Sequence, residues 1–366
     1  MNFKYIKKDH VMRSYDEQVR FLDINGNLID KNVDTELTKD QLLDAYKWMV
    51  LSRQQDTYMT QLQKQGRMLS FAPNFGEEAL QVASAFALKK EDWFAPAFRS
   101  NATMLALGVP IKNQLLYWNG QERGSVTPVG VNVLPINIPI ATQYSHAAGI
   151  AYAAKLQGKK TVAMSIVGNG GTGEGEFYEA MNISSIWKWP AVFTVNNNQW
   201  AISTPFKYGS GSKTIAQKAE AVWIPGVIVD GNDLLASYAV IKEAVEWARE
   251  GNGPVLVELL TWRQGVHTSS DNPRIYRTEE EEKEHEKWEP FHRIEKYLKD
   301  KKYITDEEIK QIWDSSLDKV KTTYEESLKE LDTQLDEIFD HTYATLTQEL
   351  KEQKQHAKDY YAKEGK

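Results

Sequence analysis

Leu42, Leu43, Tyr46, Met49 and Val50 recur at helical spacing behind Thr38-Lys39-Asp40-Gln41, whose Thr and Gln stand three residues apart as in a capping box. The pattern predicts a helix that begins at Thr38 and stops at or just before Gly66. Further helices fit Glu77 to Leu88, after Pro73-Asn74-Phe75-Gly76, and Ala141 to Leu156. Upstream, Ile24-Asn25-Gly26-Asn27-Leu28 carries the Asn-Gly pair of a tight hairpin, and residues 1–37 read as a small N-terminal arm. From residue 161 the period changes. Short β-rich runs at Thr161 to Val167, Ala191 to Val195, Val227 to Val229 and Val255 to Leu260 alternate with helical stretches at 176 to 187 and 233 to 249. That alternation predicts an α/β domain, residues 38–280, on a doubly wound parallel sheet with helices on both faces. After Glu279 the chain becomes a charged helical C-terminal region, 281–366. Thr305-Asp306-Glu307-Glu308 is a second capping box there, and Trp313, Leu317, Val320, Tyr324, Leu328, Leu331 and Leu335 put an apolar face on one long helix. Packing of that face against the parent domain is the first expectation, and subunit docking the second.

Composition narrows the class. A hydrophobic fraction of 41% with 11 Trp, 17 Tyr and 12 Phe excludes a disordered chain. The absence of cysteine excludes disulfides, thiolate metal sites and a cysteine nucleophile. Lys and Arg total 44 against 51 Asp and Glu, and the resulting charge of -7 is opposite to that of a nonspecific nucleic-acid binder. No run approaches the ~18 apolar residues of a membrane span, and the first 18 residues lack the apolar core of a signal peptide. The expectation is a cytoplasmic protein with no nucleic-acid or membrane partner.

Ligands of parallel sheets bind at the carboxyl ends of the strands, which here fall near residues 168, 196, 230 and 261. The first end holds Val167-Gly168-Asn169-Gly170-Gly171-Thr172-Gly173-Glu174-Gly175. Gly168, Gly170 and Gly173 satisfy the G-x-G-x-x-G dinucleotide fingerprint, but the next strand ends in Asn196-Asn197-Asn198 instead of the acid that would hold a ribose. Carboxamide oxygens suit a hard cation. Opposite a glycine turn whose amides open a helix, they describe a cradle for a magnesium diphosphate.

Gly168-Asn169-Gly170 followed by Asn197-Asn198 resembles the thiamin diphosphate signature, and the resemblance runs from about residue 20 to 280. It includes Gly76-Glu77-Glu78-Ala79, Phe98-Arg99-Ser100, Gly130-Val131-Asn132-Val133-Leu134-Pro135, Gly175 to Asn182, Ala201-Ile202-Ser203-Thr204, Val229-Asp230-Gly231-Asn232-Asp233 and Arg263-Gln264-Gly265-Val266-His267-Thr268. In this order the motifs resemble alpha subunits of the thiamin diphosphate-dependent 2-oxo acid dehydrogenases, in particular the pyruvate-decarboxylating first component. The resemblance implies an alpha2beta2 heterotetramer whose alpha chain holds the diphosphate and Mg²⁺. The beta subunit would supply the pyrimidine side and the activating glutamate. Pyruvate would be decarboxylated and its acetyl group passed to a lipoyl group on the acyltransferase core of the complex.

Residue by residue, the resemblance implies Asn169, Asn198 and the carbonyl of Trp200 as metal ligands. Phe98 and Arg99 correspond to positions at the diphosphate, beside Gly168, Gly170 and Gly171, and Ile138, Ile140 and Ile202 to further cofactor contacts. Arg263 and His267 would lie on a loop that closes over the cofactor, where an imidazole titrating near neutrality is the best candidate for proton transfer. His285 and His292, in the charged tail, are expected to be solvated. Glu176 and Glu179 open the helix after the glycine turn. Dipole complementarity explains them, and the resemblance offers a second role in a proton relay between two active sites. Three positions depart from the pattern: Asn169 stands where Asp is usual, Phe98 where Tyr is usual, and Asn196 where Glu is usual. Asn169 implies weaker cation binding, Phe98 the loss of one phosphate hydrogen bond, and the three together a weakened cofactor site. The alternatives are a branched-chain 2-oxo acid or acetoin counterpart, or a structural subunit that has lost turnover through Asn169.

Overall fold

The computed structural model describes residues 3–331 and 334–364. Its strands are β1 (Trp93–Ala95), β2 (Ala163–Gly168), β3 (Ala191–Asn197), β4 (Trp200–Ala201), β5 (Thr204–Pro205), β6 (Gly226–Asp230) and β7 (Val255–Leu260). Its helices are α1 (Lys39–Lys64), α2 (Glu78–Ala87), α3 (Asn101–Ala106), α4 (Ile111–Trp118), α5 (Thr142–Leu156), α6 (Gly175–Trp187), α7 (Phe206–Gly209), α8 (Leu234–Arg249), α9 (Glu279–Glu286), α10 (Pro290–Asp300), α11 (Asp306–Ser327), α12 (Glu337–Asp340) and α13 (Gln348–Lys363). Five strands form one all-parallel sheet in the order β1-β2-β3-β7-β6. The pair β4-β5 is a separate two-residue ribbon.

Because side chains alternate across a strand, each buried strand serves two cores. Met164, Ile166, Val192, Val255, Val257 and Leu259 face one core with α2 and α8, and α1 packs outside α2. Ala163, Val167, Ala191, Phe193, Val195 and Leu256 face the other, with α5 and α6. The sheet is therefore doubly wound. β1 is absent from the sequence-based prediction because three residues are too short to display a period of two.

The hairpin expected at residues 24–28 is a turn closed by Gly26 N–H donating to Asp23 O, with a single bridge between Leu22 and Leu28. The arm instead pairs with edge strand β6, Val19 N–H donating to Ile228 O at 2.9 Å and Asp230 N–H to Val19 O at 3.0 Å. Covering that edge leaves fewer unpaired backbone groups on it. Both capping boxes form. Thr38 Oγ1 accepts from Gln41 N–H while Gln41 Oε1 accepts from Thr38 N–H, and Thr305 and Glu308 repeat the exchange.

The apolar face of the C-terminal region packs inward. Phe291, Ile294, Tyr297 and Leu298 of α10 join the first core, and Val320 and Tyr324 of α11 pack with Met59, Leu62 and Phe71. The long helix expected to reach Leu335 ends at Ser327, whose buried hydroxyl donates to Tyr324 O at 2.7 Å, and the chain then tightens into a 3-10 turn. Leu331 and Leu335 lie beyond it. No helix among the described residues is long and apolar enough to cross a membrane.

The carboxyl end of β6 is closed by structure. Asp230 binds Arg20 at 2.8 Å and Arg293 at 2.7 Å. Asp233, fully buried, caps α8 through Leu235 and Ala236 N–H and also accepts Phe21 and Leu22 N–H at 2.7 and 2.6 Å. Four backbone donors thus depend on one carboxylate. Asp233→Ala is expected to lower unfolding stability by about 2–4 kcal/mol, and Asp233→Asn by less, measured by urea unfolding.

Candidate functional site

Three of the four strand ends converge. β2 runs into a 3-10 turn, Asn169–Gly173, that leads into α6. The turn is held from within by Thr172 Oγ1 donating to Asn169 O at 2.8 Å, and from outside by Lys218 Nζ donating to Thr172 O at 2.9 Å. Asn169 is buried, and its Oδ1 has no hydrogen-bond partner. Gly170 must be glycine because a Cβ there would lie 2.7 Å from the Cβ of Ala201, on the β4-β5 ribbon. Ile140 stands against Gly171, while Ile138 is about half exposed on the segment before α5. Ile202, with a left-handed φ of 55°, is exposed at the ribbon's turn.

The asparagines at the end of β3 divide their work. Asn197 turns away, donating to Glu258 at 2.6 Å and to the Tyr15 hydroxyl at 3.2 Å. Asn196 and Asn198 both turn toward Glu77, each Nδ2 donating to a separate carboxylate oxygen at 2.6 Å. Asn198 Oδ1 accepts from Trp200 N–H at 3.2 Å, which leaves it a second lone pair, and Asn196 Oδ1 has no partner. Glu77 is fully buried, and burial pushes its carboxyl up against the opposing charge of Arg99 and the two amides. It reaches this place because Gly76, at φ 88°, lets the backbone pass where a Cβ would lie 2.8 Å from Trp262 O.

The pairing of β3 with β7 continues past both strand ends, Thr261 N–H donating to Asn197 O and Arg263 N–H to Asn198 O. Arg263 is thereby set beside the asparagines. Its guanidinium is buried and donates to Ile202 O at 2.8 Å and the Tyr276 hydroxyl at 2.9 Å. Arg99 donates to Pro73 O at 2.6 Å and to His267 O at 2.7 Å. His267 Nδ1 lies 3.0 Å from Arg99 Nη2 and can only accept there, so its proton sits on Nε2. Burial, then Arg99 and Arg263, pulls the imidazole down to about 4. His267 is therefore a neutral donor here, contrary to the expected titration near neutrality. Burial and the neighbouring Arg99 likewise pull Arg263 down to about 10. Burial lowers both guanidinium groups even though Glu77 acts on each of them in the opposite sense, and two forked donors set this close together are chemically suited to an anion.

Phe98 meets His267 edge-on at 6.0 Å between ring centroids. Glu176 and Glu179 sit in the first turns of α6; one Glu176 oxygen is buried without a partner, and Glu179 is exposed. His285, expected to be solvated, stacks on Trp262 with centroids 3.6 Å apart because α9 lays its ring over the indole, whereas His292 is exposed. Glu77 lies in one of the sequence motifs without a role of its own there; an acid at a helix start looks like dipole complementarity until its partners are known. Lys218, Asp271 and Tyr276 carried no signal at all. Among the described residues no three His, Asp or Glu side chains converge at metal-ligand distance.

Comparison with known proteins identifies the family. The family model described as dehydrogenase E1 component matches residues 46–335. The chain is 48% identical over 339 residues to the pyruvate dehydrogenase E1 component subunit alpha of Mycoplasma genitalium, covering 93% of this chain and 95% of that one. It is 45% identical to the protein of the same name from Acholeplasma laidlawii over 340 residues, 92% of this chain and 99% of the relative. The Staphylococcus aureus protein of that name is 38% identical over 359 residues, 96% and 95% of the two chains. Matched along most of its length by the family and by full-length relatives, the chain belongs to the dehydrogenase E1 component family.

Proposed function

We propose that the chain is the alpha subunit of a pyruvate dehydrogenase first component, which binds thiamin diphosphate and Mg²⁺ at the three strand ends and turns over only with a beta subunit. The observation that carries this reading is the buried, unpaired Oδ1 of Asn169, on a glycine turn that follows β2 where Gly168 pairs in register with Asn196 of β3. Those residues fit the group. Asn169 Oδ1, the free lone pair of Asn198 Oδ1 and the Trp200 carbonyl offer three neutral oxygens to a cation that takes six, with diphosphate and water completing the set. Arg99 and Arg263 present forked donors to phosphate oxygens.

When bound, thiamin diphosphate supplies the electron sink that decarboxylation of a 2-oxo acid requires. The chain's own contribution is positional and electrostatic. Arg263 is buried, and its guanidinium is oriented by donating to Ile202 O and the Tyr276 hydroxyl. His267 holds its proton on Nε2, oriented by Arg99 through Nδ1 and by Asp271 through its backbone N–H at 2.9 Å. From there it donates to developing negative charge on the substrate. Acetyl transfer would proceed to a lipoyl group of the acyltransferase core, within an alpha2beta2 assembly.

Co-purification with the beta chain, followed by 2-oxo acid decarboxylation with and without thiamin diphosphate and Mg²⁺, tests the reading. Activity is expected only when all are present, and full activity of the monodisperse alpha chain would overturn it. His267→Asn keeps an acceptor for Arg99 but loses the Nε2 donor, so kcat is expected to fall about 100-fold or more with an unchanged melting temperature at pH 7. His267 also gives a pH signature. Its folded pKa of about 4 lies below the ordinary 6.5, so the unfolded state binds more protons between those values, and stability present above pH 6.5 is lost as pH falls toward 4. Thermal unfolding of the cofactor-free complex at pH 7 and pH 5 is expected to show a larger acid loss in wild type than in His267→Asn. Asn169→Asp replaces a neutral cation ligand by an anionic one and is expected to lower the half-saturating Mg²⁺ about tenfold in cofactor-binding titrations.

A further inference from the structure

The cation ligands just described are all uncharged, yet the pocket beside them is built around one carboxylate that touches none of the reacting groups. Glu77 is fully buried at the start of α2; its Oε1 accepts from Asn198 Nδ2 at 2.6 Å, and its Oε2 from Asn196 Nδ2 at 2.6 Å and more weakly from Gln81 Nε2 at 3.4 Å. A carboxylate only accepts, so both asparagine amides must present their nitrogens to it and turn their oxygens the other way. Neither asparagine is free to flip. The unpaired Oδ1 of Asn196 and the half-used Oδ1 of Asn198 follow from this arrangement.

We infer that Glu77 is the positioning residue of the cation site: it orients the asparagine oxygens and places, one hydrogen bond behind a neutral ligand set, the negative charge a dication there requires. The inference rests on the cofactor reading above. Its physical basis is that an anion hydrogen-bonded to a ligand's N–H polarises the amide and makes its oxygen a better donor to the metal. Partners of this kind, one bond removed from a metal, commonly govern about 10–100-fold in affinity. The charge absent from Asn169 and Asn196 therefore stands at Glu77.

The test uses the alpha–beta complex with Mn²⁺ as probe, its uptake followed by loss of the free-ion EPR signal in the presence of thiamin diphosphate, alongside the melting temperature of the cofactor-free complex. Glu77→Gln preserves size but removes the charge and one acceptor, and is expected to weaken Mn²⁺ binding about 10–100-fold. The reciprocal pair Glu77→Gln with Asn196→Asp returns the charge one side chain over. The introduced carboxamide can then donate to the introduced carboxylate while still accepting from Asn198, so Mn²⁺ affinity is expected within about threefold of wild type. Asn196→Asp alone sets two carboxylates face to face and is expected to lower the melting temperature, an effect the second substitution removes. Wild-type affinity in Glu77→Gln overturns the inference, as does a folded double variant that remains more than tenfold weak. The latter comparison stands even if Glu77→Gln alone fails to fold. Should the wild-type complex take up Mn²⁺ no better with thiamin diphosphate than without it, the cofactor reading itself falls, a result distinct from failure of either variant.

Discussion

Two guanidinium groups, Arg99 and Arg263, are buried on either side of one imidazole, and the local structure is arranged to tolerate them. Their hydrogen bonds go to the carbonyl and hydroxyl oxygens of Pro73, His267, Ile202 and Tyr276 and, from Arg99, to the His267 imidazole. Dipoles of this kind offset only part of the cost of burying a charge. Glu77 and, after it, Asp56 are the buried acids that act most on Arg99, and burial pushes both carboxyls up, that of Asp56 to about 8. His267 consequently stays neutral, and Arg263 is held below its ordinary range. An arriving diphosphate would add negative charge beside the two guanidinium groups.

The position of that pocket follows from backbone pairing. Because β3 and β7 remain hydrogen-bonded beyond their last strand residues, Asn198 and Arg263 are neighbours by register and not by side-chain choice. The glycine turn completes the geometry by allowing the β4-β5 ribbon to lie against Gly170. The fourth strand end is spent differently: Asp230 and Asp233 tie the arm and α10 to β6 and α8, on a part of the sheet that takes no share in the candidate chemistry. The buried acids that hold the arm thus lie at a different strand end from the two buried arginines, along one edge of the sheet.

Much of this was legible in the chain. Alternating apolar runs report a doubly buried parallel sheet because both faces of every strand must be apolar, and the asparagine run at the end of β3 stands out because such a strand rarely ends in three amides. Capping boxes are local, so Thr38 and Thr305 announced their helices correctly. What escaped depends on contacts distant in sequence. β1 is three residues long, and nothing local distinguishes it. Glu77 acquires its meaning from asparagines 119 and 121 positions away. His285 reads as a tail residue until α9 brings it onto Trp262, and the break after Ser327 comes from a hydroxyl competing with the helix for Tyr324 O.

If the three strand ends form one diphosphate–cation site, anomalous diffraction from crystals of the alpha–beta complex grown with Mn²⁺ and thiamin diphosphate tests it directly. A manganese peak bridged by the side-chain oxygens of Asn169 and Asn198 is expected, with the diphosphate between the glycine turn and the guanidinium groups of Arg99 and Arg263. A manganese peak elsewhere, or a diphosphate bound away from the two arginines, would contradict it.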